Sequence, residues 1–294
     1  MSDHLVRILT LDGHLRACAA VTTELVEQAR RLQQTDPTAS VALGRLASAA
    51  ALLGSQLKGE QRLALMIEGS GPLQKLHAET DADGHLRAMV KNPQTGLPPK
   101  NGRFDVAGAV GRAGFLHVSK DLGLKEPYRG MVQLVSSEIA EDLAYYLTTS
   151  EQVPSSVGLG VCLGPEAEVL AAGGFLVQAM PGCPEGVIAT LEERLRALPP
   201  VTELLRSGHG PLAILQQLFE GLPFNVQGEI PLSFRCSCSY PQILQLLRAL
   251  GTEELSHLAE REEETVVTCE FCRQSYPVKA EALKTLAAQG AVPN

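Results

Sequence analysis

Apolar and polar positions alternate with two periods along this chain, and the switches between them mark out its elements. Leu5–Leu11 and His14–Thr22 are short apolar-rich runs that read as strands. A helical period follows from Thr23 to Gln34, and Thr35-Asp36-Pro37 breaks it. A second helical stretch extends to about Lys58, with apolar residues at Val41, Leu43, Leu46, Ala49, Ala50 and Leu53. Strand patterns then dominate. Leu63–Ile67 is a short apolar run, and Leu73–Glu79 and His85–Val90 flank a turn whose Asp83-Gly84 is a hairpin signal. Gly130–Val135 predicts another strand. The next helix carries Glu138, Glu141 and Asp142 near its start, where the macrodipole favours acids, and its inner face is Ile139, Leu143, Tyr146 and Leu147. Val157–Leu163 and Glu168–Met180 form an apolar hairpin around Gly164-Pro165-Glu166. Many hairpins with interspersed helices predict an α+β fold built on an antiparallel or mixed sheet.

The pattern changes after Pro181-Gly182-Cys183-Pro184. Residues 184–222 read as helical but are cut by Pro199, Pro200 and Pro211. Ile188, Leu191, Leu195 and Leu198 make one stripe; Leu204, Leu205, Leu212, Leu215, Leu218 and Phe219 make another. Helices this short fall at or under the ~12–15 residues at which an isolated helix becomes even marginal, so they must dock on something. An ordinary helical connector and a conditionally ordered segment both fit. The expected organisation is an α+β core domain over 1–182, an amphipathic helical linker over 183–230 and a small zinc-binding module over 231–294. The charge run Glu260–Glu264 reads as a solvated hairpin or helix end.

Composition narrows the function classes. The 294 residues suit one large domain with a smaller one, and 45% apolar content supports a buried core. The formal charge of −8 is diffuse, unlike the clustered Lys and Arg of a nucleic-acid or anionic-membrane binder. The start MSDHLVRILTLDG lacks the basic and apolar regions of a secretory signal, and no apolar run reaches the roughly 18 residues of a membrane span. A cytoplasmic chain is expected, in which cysteines stay reduced and close pairs serve metal binding or catalysis. The odd count of seven cysteines fits this.

Four of those cysteines form two tight pairs: Cys236 and Cys238 as C-x-C, and Cys269 and Cys272 as C-x₂-C. Zn²⁺ takes four ligands tetrahedrally and suits thiolates, so these four predict one zinc ion per chain. Zinc binding to such small units is worth roughly 10–16 kcal/mol of folding free energy. The C-x-C half adds a redox possibility. Residues i and i+2 of an extended chain have Cα atoms about 6.7 Å apart. That is near the top of the ~4.4–6.8 Å disulfide range, so a Cys236–Cys238 bridge would be strained and easily reduced. Sulfurs around one zinc lie roughly 3.8 Å apart, and loss of two electrons from any pair removes two ligands at once. The residues alone leave two readings open, a static structural zinc and a redox switch.

The chain resembles the redox-regulated thirty-three-kilodalton heat-shock chaperone family, whose members are sometimes labelled chaperonins. The resemblance covers nearly the whole chain. It rests on "CSCS … LRALGTEEL … VTCEFCRQSYPV", "TTSEQVPSSVGLGV", "AAGGFLVQAMPG" and "KDLGLKEPYRGMVQLVSSEIAEDLAYYL". It implies an ATP-independent holdase whose activity is low while Cys236, Cys238, Cys269 and Cys272 hold zinc. On oxidation, disulfides form within each pair, zinc leaves, the tail unfolds and the linker loosens. The freed surface then binds unfolding client proteins, the active form is a homodimer, and clients pass to ATP-dependent foldases. One departure is Tyr240-Pro241-Gln242, where family members commonly carry a charged run after C-x-C-S. Pro is tolerated in a first helical turn, so the fold should survive. Thiol tuning by a neighbouring arginine is more exposed to the change, with Arg235 and Arg273 as candidates for that part.

Other residues yield no chemistry. Cys18 and Cys162 sit in apolar strand patterns and read as buried, inert thiols; Cys183, in a Pro-Gly turn, reads as exposed. His257 is the histidine inside the tail module and is not needed as a ligand. "GSGP" lacks a phosphate-loop signature, and "SVGLG" is no nucleophile elbow, so no enzyme is expected. The main rival is a structural zinc ribbon that binds nucleic acid or protein. Seven acids against five Lys/Arg between Arg235 and Lys279 argue against its nucleic-acid form. "CEFC" outside a thioredoxin-like strand–helix pattern argues against a thiol–disulfide oxidoreductase.

Overall fold

The computed structural model describes residues 2–261 and 263–289. The chain divides into two compact units, Met1–Arg235 and Cys236–Asn294. In chain order the first contains β1 (His4–Thr10), β2 (Leu15–Val21), α1 (Thr23–Gln33), α2 (Pro37–Gly54), β3 (Arg62–Gly69), β4 (Lys75–Asp81) and β5 (His85–Val90). There follow α3 (Val106–Val110), β6 (Gly114–Asp121), β7 (Tyr128–Gln133), α4 (Ala140–Thr149), β8 (Ser155–Leu163) and β9 (Val169–Ala179). It closes with α5 (Glu185–Ala197), α6 (Val201–Arg206), α7 (Pro211–Leu218), β10 (Phe224–Pro231) and β11 (Ser233–Phe234). Together these make the α+β class with antiparallel and mixed sheets.

Two sheets organise the first unit. One has the order β10-β1-β2-β9-β8 and is antiparallel throughout; the other has the order β11-β5-β4-β3-β6-β7, with only the short β11–β5 pairing parallel. The β4–β5 hairpin turns at the expected Asp83-Gly84. Gly84 has φ +81°, and a Cβ there would lie 2.2 Å from the Pro231 carbonyl oxygen, so glycine is required. Every residue of α2 except Pro37 and Arg45 is buried. It packs against strands of both sheets, including β4, β5, β8 and β9. A helix covered on all sides needs apolar or small residues all round, and so the expected stripe is only part of its buried surface. The Asp36 side chain caps it by accepting from the Ala39 N–H at 2.8 Å.

The five-stranded sheet is buried on both faces. Leu5, Cys18, Ala20 and Leu176 join the core that contains α2. Val6, Ile8, Leu15, Ala17, Ala19 and Val177 meet Leu191, Leu204, Ile214, Leu215, Leu218 and Phe219 from the proline-cut helices and the residue after them. Those helices therefore rest on the sheet face opposite α2. The stretch expected as a helical linker is not helical to its end, because 224–231 form β10, paired antiparallel with β1. Half-exposed edge positions and a register shift weaken its alternation. The expected inner face of the helix after Gly130–Val135 is buried as read: Ile139, Leu143, Tyr146 and Leu147 are at most 2% exposed. Asp142 at its start is fully buried and accepts N–H groups from Val135, Ser136, Ser137 and Ile139.

The second unit holds α8 (Tyr240–Arg248), α9 (Thr252–Arg261), β12 (Glu264–Thr268), β13 (Ser275–Lys279) and α10 (Ala280–Ala288). Its small core joins Ile243, Leu247, Leu255, Val278, Leu283 and Leu286. The charge run straddles the end of α9 and the start of β12; its Glu262 lies outside the described residues, as do 290–294 of the expected module.

Candidate metal and redox centre

Two local devices bring the four tail cysteines together. Cys236 and Cys238 lie in the irregular stretch between β11 and α8. Ser239 keeps extended backbone (φ −149°, ψ 157°) at the helix entry, and Pro241 occupies the first turn without disturbing it. Cys269 and Cys272 sit in the tight turn between β12 and β13. The Cys269 N–H donates to the Gln274 carbonyl at 2.9 Å, and the Arg273 N–H donates back to the Cys269 carbonyl at 3.0 Å. Arg273 adopts φ +60°, a left-handed conformation that lets the turn close.

The four Sγ atoms all lie within 4.8 Å of one another. Cys236 Sγ is 3.7 Å from Cys269 Sγ, and Cys238 Sγ is 3.3 Å from Cys272 Sγ. A tetrahedral tetrathiolate with metal–sulfur bonds of about 2.3 Å has edges of roughly 3.8 Å, so four sulfurs at these separations match the donor set of a zinc-sized ion in number, type and approximate spacing. Cys269 is buried, and the other three are partly exposed. Burial is the main force on two of the thiols: it pushes Cys272 up to about 12 and raises Cys238 as well. Cys238 and Cys272 therefore favour their neutral form, and four adjacent thiolates require a cation among them.

Tyr276 is a neighbour of the thiols that the sequence reading missed. Its hydroxyl lies 3.1 Å from Cys238 Sγ, and this contact is the first cause raising its own pKa to about 12. The available signal was alternation along β13, where Tyr276 and Val278 are the buried positions directly after C-x₂-C. Of the arginines suggested as thiol tuners, Arg235 has its guanidinium 3.1 Å from His85 Nε2, and Arg273 contributes the backbone turn. His257 lies outside the thiol cluster. Cys18 is buried as expected and its thiol is pushed up to about 11 by that burial. Cys162 departs from expectation: it is only half-buried, because β8 is the sheet edge. Cys183 is likewise half-buried rather than exposed.

Comparison with known proteins adds to this geometry. A family model described as Hsp33 protein matches residues 3–279. A 33 kDa chaperonin of Syntrophotalea carbinolica is 62% identical over 288 residues, covering 98% of this chain and all of that protein. A 33 kDa chaperonin of Geobacter sulfurreducens is 50% identical, covering 97% of this chain and 95% of its own. Among solved structures, the 33 kDa chaperonin of Thermotoga maritima superposes with a TM-score of 0.90 at 33% identity, covering 98% of this chain and 99% of that one. Among the described residues, no helix is long and apolar enough to cross a membrane.

Proposed function

The chain belongs to the Hsp33 chaperone family, and from that premise we propose that it is a redox-regulated, ATP-independent holdase of the cytoplasm. The observation that carries the reading is the convergence of four cysteine sulfurs within 4.8 Å in a unit with a small core of its own. Cys236, Cys238, Cys269 and Cys272 hold one zinc ion in the reduced chain. When bound, that ion supplies the positive charge that keeps four thiolates together and the crosslink that keeps the unit compact.

The switch follows from the sulfur chemistry. Two thiolates of a pair give up two electrons to form one S–S bond; hydrogen peroxide accepts them with two protons and becomes two waters. Both pairs bridging, Cys236 with Cys238 and Cys269 with Cys272, leaves no thiolate donor. The second unit, deprived of its crosslink, unfolds. The helices over 185–218 then loosen and uncover Leu191, Leu204, Ile214, Leu215 and Leu218, all now buried on the sheet. That apolar surface binds unfolding clients and pairs two copies into a dimer. Clients leave for ATP-dependent foldases. In this scheme neither nucleic acid nor membrane is a partner, and no substrate is turned over.

The test follows suppression of light scattering by a thermally unfolding client enzyme, before and after peroxide treatment at mild heat, with released zinc titrated by a chelating dye. Activity should appear only in the oxidised sample, together with one zinc ion per chain. Equal activity in both states would leave a static zinc module instead.

A further inference from the structure

The first unit contains an open cleft of about 440 Å³ whose lining includes Arg7, Arg16, Lys58, Gln56, Gln178 and Gln227, with Cys18 in its floor. Among the described residues, no Asp or Glu lines it. Its cations are the notable feature in a chain of net charge −8. The Arg/Lys–carboxylate pairs found among the described residues engage other cations, such as Arg30, Arg45, Arg87 and Lys120, and leave these three out.

The register explains how the cleft is built. Arg7 pairs with Cys18 and Leu9 with Arg16 across β1 and β2, while Arg16 pairs with Gln178 across β2 and β9. All of these side chains belong to one face, at the end of the sheet that α2 leaves uncovered beyond Gly54. Gln178, only 2% exposed, fixes the floor: its Oε1 accepts from Arg16 Nε and from Gln56 Nε2, each at 2.9 Å. The Arg7 guanidinium donates to the Ser55 carbonyl at 2.7 Å, yet its Nε is buried with no partner. The β1–β10 register shifts between Arg7 and Ile8 and leaves Gln227 as the extra residue, a bulge of the kind that re-aims side chains beside binding sites. Gly228 opposite Arg7 gives the guanidinium room, because a Cβ there would lie 3.1 Å from its Nη2.

We propose that this cleft binds a small, multiply charged oxyanion, phosphate or carboxylate, through Arg7, Arg16 and Lys58, with its carbon part against Leu9, Leu176 and Met180. The volume falls within the range of small-molecule sites, and guanidinium forks match both oxyanion classes. None of these residues belongs to the thiol cluster, so the site stands whether or not the redox reading does.

The experiment is calorimetric titration of the reduced full-length chain with pyrophosphate, adenosine monophosphate and citrate. One saturable site per chain is expected for at least one of them, and the arms separate phosphate from carboxylate. Lys58→Gln changes an exposed residue and should weaken binding about tenfold, with Lys58→Arg restoring it. Arg16→Gln should weaken it at least as much, its fold checked by melting, while Lys125→Gln, exposed and outside the cleft, should leave it unchanged. Absence of saturable binding up to about 10 mM for all three anions would overturn the proposal, as would affinity indifferent to both Lys58→Gln and Arg16→Gln.

Discussion

Glu27 and Asp3 are displaced in opposite directions by their surroundings, and the two should shape acid stability oppositely. Glu27 lies at about 2 against an ordinary 4.5, chiefly because Arg30 donates to it; the Val169 N–H and Arg31 add to the effect. Its folded value is lower than its unfolded one. Its contribution is therefore present above 4.5 and disappears as pH falls towards 2. Glu27→Gln should flatten the acid limb of a stability–pH curve measured by urea unfolding and cost about 1–3 kcal/mol at neutral pH. Asp3 is raised to about 6 by burial, although the Glu24 and Leu25 N–H groups hold it. Here the folded value is the higher one, so stability is lost as pH rises from the ordinary 3.8 through 6. Asp3→Asn should remove that loss in the same experiment. Near the thiols, Tyr276→Phe deletes the hydroxyl beside Cys238. It should weaken zinc binding about tenfold or more in competition with a chromophoric chelator, as loss of a ligand's hydrogen-bond partner does.

Two helical glycines make a paired test at the level of elements. In α2 a Cβ on Gly44 would lie 2.6 Å from Val26 Cγ1 and 2.7 Å from Val161 Cγ2. Overpacking of about 1–3 kcal/mol exceeds the ~1 kcal/mol of helix propensity gained, so Gly44→Ala should lower the melting midpoint. In α5 nothing lies within 4 Å of a Cβ on Gly186, and Gly186→Ala should raise stability by up to about 1 kcal/mol. Equal responses would show that α2 is not clamped as described. Strands and hairpins such as His85–Val90 and β8–β9 were legible because their alternation is clean and their turns carry Gly, Pro or Asp. The segments α3, β6 and β10 were passed over. Gly108, Gly111 and Gly114 break the periodicity around the first two, and a bulge shifts phase in the third. What β10 pairs with, a strand more than two hundred residues earlier, is written in no local pattern.

For the molecule as a whole, the two units should respond differently to metal removal. The second has a core of a few side chains around its cysteines, while the first has an extensive core around α2 and a further one on the opposite sheet face. Chelation of the reduced protein should abolish amide protection in β12, β13 and α10, while β2 and β9 keep theirs, read by hydrogen exchange. Retention of tail protection after metal removal would count against a metal-dependent fold.

The sequence by itself determined the α+β class, most of the strand and helix positions and the identity of the four converging cysteines. These depend on local periodicity, turn chemistry and spacing within a few residues. Tertiary structure alone decided that α2 is enclosed by two sheets and that the proline-cut helices lie on a sheet face. It alone put the Tyr276 hydroxyl against Cys238 and left Arg7, Arg16 and Lys58 around a cleft that no acid among the described residues lines. Each of these depends on which distant strands pair and in what register, and register is set by the joint burial of faces rather than by any one segment.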